Sequence, residues 1–496
     1  LLPVFHTPQL RFVAAFWFLA GTALCQEPNQ YPRVVLPGDY PDPTILRDGA
    51  DFYMTHSPFY YTPGFLIWHS KDLIHWEPVA RAMTRVVGSA MAPDLVKVRG
   101  KYFLYFPAAG ANWVMSADKI RGPWSQPVRL NVGGIDPGHA VNREGKRYLF
   151  LSGGGRIGLT RDGLSISGTK QQVYSGWDYP QDWKTEGKFL ESPKIIRKGA
   201  YYYLVSAEGG TAGPATSHMV IAARSKSING PWENSPHNPI VHTSSAEEPW
   251  WSQGHGTLVD DANGNWWLVY HGYKKGCYPL GRSTLIQPIK WLKDGWFRVA
   301  KSAPALPSKS KPMDWGKLLS DDFSGKRLGL QWMTWRDYDP KSVRLENQSL
   351  YLGAKGAGPQ DGRLLLVTAA NGGYEIQAEL NLGQGSAGGL VFFYSEKAFA
   401  GVSSDGLQFT LYTDARQSFQ SPNSFGRHFF LRIRNQNNAC SVEASGDGKT
   451  WVMLDSAIDV SSMHHNNYKG FLALRPGLMA LGKGEVQFKD FKYKPL

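Results

Sequence analysis

The chain has 496 residues, more than one ordinary domain, with a formal net charge of +13 and 13% aromatic residues. Lysine and arginine are scattered and no dense basic run interleaves with the aromatics, which argues against nucleic-acid binding and leaves a general attraction to acidic polysaccharide or anionic surfaces. Gly and Pro are plentiful while Ala- and Leu-rich amphipathic stretches are scarce, so an all-β protein is expected.

At the N-terminus Arg11 precedes an apolar run, Phe12 to Leu24, and polarity returns at Cys25-Gln26-Glu27. This is the pattern of a secretory signal peptide over residues 1–25, too short for a comfortable membrane span. Cleavage is expected after Ala23-Leu24-Cys25, and the bulky Leu24 disfavours the rival reading of lipid attachment at Cys25. A secreted or periplasmic protein follows. Because the chain opens on Leu1 rather than Met, part of the leader is expected upstream. Beyond the leader Cys277 and Cys440 remain, in different expected domains, which supports neither a disulfide framework nor a cysteine metal site.

Residues 31–300 carry a repeat. Five times an acidic or imidazole residue heads a short β-branched run, then a Gly turn, then an aromatic-rich run. The heads are Asp42, Asp94, Asp136, Glu191 and His255, spaced 52, 42, 55 and 64 residues apart. That period suits four short strands per unit, and five units make a five-bladed β-propeller. Residues at one end of the five inner strands would then meet around one channel mouth. Crowded carboxylates raise one another's pKa, a cost that a purely structural propeller has little reason to accept. The structural alternative is that each acid caps a turn, since Asp beside Pro is a common turn former. The Trp76, Trp124 and Trp232 signatures that close units read as outer-strand turns anchored by a packed indole.

Residues 301–318, rich in Pro, Ser and Lys, read as a linker. From 319 to 496, strand-like runs such as Gly373–Leu380, Gly389–Tyr394 and Phe429–Arg434 alternate apolar and polar residues at hairpin spacing. A two-sheet β-sandwich of jelly-roll type is expected there, without an evident catalytic cluster.

The motifs Tyr40-Pro41-Asp42-Pro43-Thr44, Ala92-Pro93-Asp94, Gly134-Ile135-Asp136-Pro137, Leu190-Glu191-Ser192-Pro193-Lys194, Ala207-Glu208-Gly209-Gly210-Thr211 and Gly254-His255-Gly256-Thr257-Leu258 together resemble glycoside hydrolase family 43. Residues 319–496 are similar to the concanavalin-like sandwich often attached to those enzymes. The resemblance implies a secreted, inverting exo-glycosidase removing terminal α-L-arabinofuranosyl or β-D-xylosyl residues from plant-type polysaccharides or oligosaccharides. Asp42 is implied as general base, Glu191 as general acid, and Asp136 as the carboxylate that orients the acid and keeps its pKa high. Such chemistry needs two carboxyl groups flanking the sugar with room for water.

Asp94, Phe59, Arg282 and His255 are implied as substrate-binding residues. Asp94 hydrogen-bonds substrate or frames the site, and its motif carries Met91 where the family pattern begins with Trp. Phe59 is the candidate stacking platform, and the Arg282 guanidinium can fork to two hydroxyls. His255 matches the family's channel histidine, near a water cluster or a structural calcium. It is the candidate metal ligand, although calcium prefers several oxygens. No organic cofactor is implied, the partner is a carbohydrate, and the sequence carries no signal for an oligomeric state. Inserts including Trp113 and Ser175 to Lys188 are expected to wall off a pocket. Alternatives are another family specificity (galactosidase or arabinanase) and a catalytically silent carbohydrate-binding propeller. An invertase-like enzyme is argued against, because its Asn-Asp-Pro-Asn-Gly and Arg-Asp-Pro motifs are missing.

Overall fold

The computed structural model describes residues 31–300, 313–336 and 338–496. The expected signal peptide and most of the expected linker lie outside the described residues.

Residues up to about 300 form five antiparallel sheets of four main strands. Their innermost strands are Thr44–Asp48, Asp94–Val98, Gly138–Val141, Glu191–Lys198 and Trp250–Asp260. These touch one another in a closed ring, the last against the first. The repeat pattern explains the hairpins: β-branched residues fill the inner strand, aromatics the second, and a tight turn joins them. Gly49 and Gly199 sit at the first turn position with φ of 65° and 60°, and Arg99-Gly100 take φ of 51° and 82°. Those are the left-handed values that two-residue hairpins require.

One strand is out of sequence order. Arg33–Leu36 pairs with Arg282–Trp291, so the beginning of the described chain completes the last sheet. This closes the ring and covers an edge that would otherwise be exposed. It also carries the Tyr40 backbone to Arg282, whose carbonyl accepts from Tyr40 N–H at 3.0 Å.

The second half forms a seven-stranded and a six-stranded sheet packed face to face around one apolar core. Within the stretch expected as linker, Trp315–Leu319 form a short helix, its N-terminus capped by the Asp314 side chain accepting from Lys317 N–H. Trp315 and Leu318 pack on a propeller cluster while Leu319 enters the sandwich core.

The two halves are knitted together. Tyr61–Thr62 of the propeller pairs with Thr334–Trp335, and Phe59 and Tyr61 belong to the sandwich core. Arg475 of the sandwich pairs with Asp39 of the propeller at 3.0 Å, both side chains almost fully buried. Arg475 also lies 4.3 Å over the Tyr61 ring. Removing one partner of a buried pair leaves an uncompensated charge, so Arg475→Met is expected to destabilise the protein by about 3–5 kcal/mol. Adding Asp39→Asn should recover part of that loss; denaturant midpoints of the single and double variants check both statements, and an unshifted single variant would contradict them.

Candidate active site

Four of the five repeat heads meet at one end of the propeller. A pocket there is lined by Asp42, Asp136, Glu191 and His255, together with His218, His271, Thr211, Arg282, Phe59, Met91, Ala92, Ile135 and Phe471. Local backbone geometry turns these heads inward. Asp42, Asp136 and His255 have φ of 57°, 54° and 60°, and Ser192, next to Glu191, has 54°. Non-glycine residues rarely adopt such values, and they cluster where surrounding structure enforces them. At Glu191 and His255 the register also shifts within the strand, as a β-bulge does when it re-aims a side chain.

Asp42 is the most constrained of the group. Its Oδ1 accepts from Arg282 Nη1 at 3.0 Å, its Oδ2 from the Ser57 hydroxyl, and its backbone N–H donates to His271 Nδ1 at 3.0 Å. The last bond places the His271 proton on Nε2, which faces Thr211 Oγ1 at 3.4 Å. Burial pushes the Asp42 carboxyl up, but the Arg282 guanidinium beside it outweighs burial and holds the carboxyl well below the usual range. Burial keeps the histidines neutral: His271 is lowered to about 4 and His255 well below its ordinary value.

Asp136 and Glu191 go the other way. Burial first, then the Asp42 charge, raises Asp136 to about 7, against the opposing pull of Lys194 and a bond from Ser192 N–H at 3.2 Å. Glu191 is pushed well above its ordinary value by burial, then by Asp136, Asp42 and Glu186. The pocket therefore holds one carboxylate that stays ionised and one carboxyl that stays protonated.

Arg282 joins the two halves of the molecule. Besides Asp42, its Nη2 donates to the Phe471 carbonyl at 3.5 Å, and its guanidinium lies 5.8 Å from the ring centres of both Phe59 and Phe471. Its Nε has no partner among the described residues and is buried. Its backbone N–H donates to Asp39, the residue that Arg475 holds. The sandwich thus contributes Phe471 to the pocket wall, and Asn466 bonds both backbone groups of Gly213 beside the pocket turn.

Three sequence expectations need correction. Asp94 does not line the pocket. Its carboxylate is taken up by Lys194 Nζ at 3.0 Å, Thr44 Oγ1 at 3.3 Å and His139 N–H at 2.6 Å, so it ties four blades together and of its two expected roles fits framing the site. Phe59 lines the pocket but is 1% exposed, with its ring in the sandwich core cluster. It acts as packed wall instead of an open stacking surface. Trp113 packs against the second blade and donates to Ala108 O at 2.9 Å, away from the pocket lining.

Asp42, His255 and His271 bring ligand atoms within 4.8 Å of one another. This set does not fit direct calcium ligation. It offers one carboxylate, already held by a guanidinium, and a His271 Nδ1 whose lone pair accepts the Asp42 N–H, where calcium takes six to eight oxygens. His255 Nε2 and both His218 nitrogens are buried without partners among the described residues, which suits ordered water.

Comparison with known proteins places these features in a family. Residues 31–297 match the model for glycosyl hydrolases family 43, and residues 320–494 match the beta xylosidase C-terminal concanavalin A-like domain. The chain is 33% identical over 360 residues to a non-reducing end alpha-L-arabinofuranosidase of Bacteroides ovatus, covering 65% of this chain and 64% of that protein. It is 32% identical over 350 residues to a beta-xylosidase of Bacillus subtilis, covering 61% and 64%. The matched stretch thus spans just under two thirds of either relative. Among solved structures, the family 43 protein BlXynB of Bacillus licheniformis superposes with a TM-score of 0.83 at 26% identity, covering 94% of this chain and 100% of that one. Xylan beta-1,4-xylosidase of Bacillus halodurans gives 0.82 at 27% identity, covering 94% and 99%.

Proposed function

The chain belongs to glycosyl hydrolase family 43, and from that premise we propose that it is a secreted, inverting exo-glycosidase that releases terminal α-L-arabinofuranosyl or β-D-xylosyl residues from plant-type glycans. The observation that carries the reading is the convergence of Asp42 and Glu191 on one pocket, Asp42 held by Arg282 and Ser57 in a setting that favours its ionised form and Glu191 buried beside Asp136 in one that favours its protonated form. That division supplies a base and an acid at the same pH. The names of the relatives support the two sugars, and the apolar run before Cys25 supports export.

In this mechanism Asp42 takes a proton from water as the water oxygen bonds the anomeric carbon. The glycosidic C–O bond breaks on the other side, and the departing oxygen takes the Glu191 proton. Asp42 ends protonated and Glu191 ionised, and solvent restores both. Ser57 and Arg282 fix the Asp42 carboxylate for this step. Phe59, Met91 and Phe471 close the pocket around a chain end, which favours exo action.

Initial rates on aryl α-L-arabinofuranoside, β-D-xylopyranoside and β-D-galactopyranoside test the reading. Turnover of one of the first two is expected. Silence on all three, with glycan still retained on an affinity gel, would instead favour a binding propeller.

A pH prediction follows from Asp136. Activity toward a poor leaving group requires protonated Glu191, so it falls as pH rises through the raised pKa of that acid. Asp136→Asn removes a negative neighbour, lowers the acid's pKa and should move the basic limb of the kcat/KM profile to lower pH. The acidic limb, set by Asp42, should not move upward. An unchanged basic limb would remove Asp136 from the modulating role.

A further inference from the structure

Apart from the pocket of carboxyl groups, a cavity of about 30 Å³ lies where the two domains meet. Asp39, His56, Ser57 and Arg81 line it from the propeller, and Thr368 and Arg475 from the sandwich. Three buried nitrogens on these residues have no partner among the described residues: Arg81 Nη2, Arg475 Nε and His56 Nδ1.

Arg81 is the group that this lining leaves uncompensated. Its Nε donates to Leu330 O at 2.8 Å and its Nη1 to Pro63 O at 2.6 Å, one carbonyl from each domain, and no carboxylate pairs with it among the described residues. The carboxylates nearby are already taken. Asp39 is paired with Arg475 at 3.0 Å, and Asp42, on the far side of the Ser57 hydroxyl, is held by Arg282. Two guanidinium charges therefore face the cavity against the single carboxylate of Asp39. Burial pulls Arg81 down to about 10, and the like charge of Arg475 adds to that pull. A buried charge without a counter-charge is costly, and an anion between the two guanidinium groups would relieve it.

His56 asks for something different. The Thr284 hydroxyl donates to Tyr40 O at 2.8 Å, so it accepts from His56 Nε2 at 2.9 Å and leaves Nδ1 as a bare acceptor. Burial lowers this ring to about 3 and keeps it neutral. A bare acceptor takes a water. One water needs roughly 10–15 Å³ of such space, so the cavity has room for two small occupants and too little for a tetrahedral oxyanion such as sulfate or phosphate.

We propose that this cavity binds one halide-sized monovalent anion, chloride in ordinary solution, between the Arg81 and Arg475 guanidinium groups, with one water bridging it to His56 Nδ1. The anion supplies the negative charge that the interface lacks and so fastens the sandwich to the propeller. The inference stands independently of the hydrolase reading.

Thermal unfolding at fixed ionic strength, with sodium gluconate replaced stepwise by sodium chloride or sodium bromide, reads the site without an activity assay. The midpoint is expected to rise by a few degrees and then level off, as it does for a ligand that binds the folded state alone. Arg81→Met keeps the apolar stem and removes the charge, and its midpoint should not respond to halide. Crystals of the unaltered protein grown in bromide should show an anomalous peak between the two guanidinium groups, a readout that stands even if Arg81→Met does not fold. A midpoint that is the same in gluconate and in halide, or a water in place of the bromide peak, would overturn the site.

Discussion

Asp42→Asn is expected to lower kcat by about 10²- to 10⁴-fold on every glycoside, whatever its leaving group, which is the range a positioned general base contributes. The structure makes the substitution close to isosteric, so the loss reports chemistry more than folding. The amide oxygen can still accept from Arg282 Nη1, and the amide NH2, standing where Oδ2 was, can donate to the Ser57 hydroxyl, so both partners of the carboxylate are kept. What it cannot do is take a proton from water. The depressed pKa of Asp42, maintained against burial chiefly by Arg282, keeps the base ionised across the working range. Because water attack is needed for all substrates, activated aryl glycosides should suffer as much as disaccharides. Substantial residual turnover on either would remove Asp42 from the role.

Glu191→Gln should separate those two substrate classes. Disaccharides leave as alkoxides unless protonated and should lose about 10²- to 10⁴-fold. Aryl glycosides with acidic phenols need little protonation and should lose far less. Glu191 is an acid at neutral pH first because its carboxyl is buried and then because Asp136, Asp42 and Glu186 place negative charge around it. The amide keeps the shape and removes one titrating group, so folding should be spared. Equal losses on both substrate classes would argue that Glu191 acts through structure alone.

The repeat heads were legible because each carries its own local signature, and a propeller converts equal positions in the repeat into neighbours in space. That logic brought Asp42, Asp136, Glu191 and His255 to one mouth. It overreached at Asp94, since repeat position says where a side chain starts but not what it bonds. Lys194, visible in the fourth motif, was the missing clue, as its ammonium settles between Asp94 and two carbonyls. His271 had a weaker signal, a histidine in a strand otherwise filled by aromatics and aliphatics. Phe471 had none, because it reaches the pocket through packing of one domain on another, 189 residues from Arg282, and no period links them. The closing strand Arg33–Leu36 was hidden for a similar reason: pairing between the two ends of the repeat region leaves no local pattern. Sandwich architecture was readable from alternation alone, while its contribution of Phe471 and of Arg475 to Asp39 was not.

The role of Asp42 as a base toward water, and not as a nucleophile toward sugar, is tested most directly by the configuration of the first sugar released. Proton NMR of the reaction with the preferred glycoside, recorded before the free sugar mutarotates, resolves the two anomers. The account predicts that the first signal to grow belongs to the anomer opposite to the substrate, since water attacks the face away from the leaving group. Initial appearance of the same anomer as the substrate would mean a covalent intermediate and would contradict the assignment of Asp42 as general base.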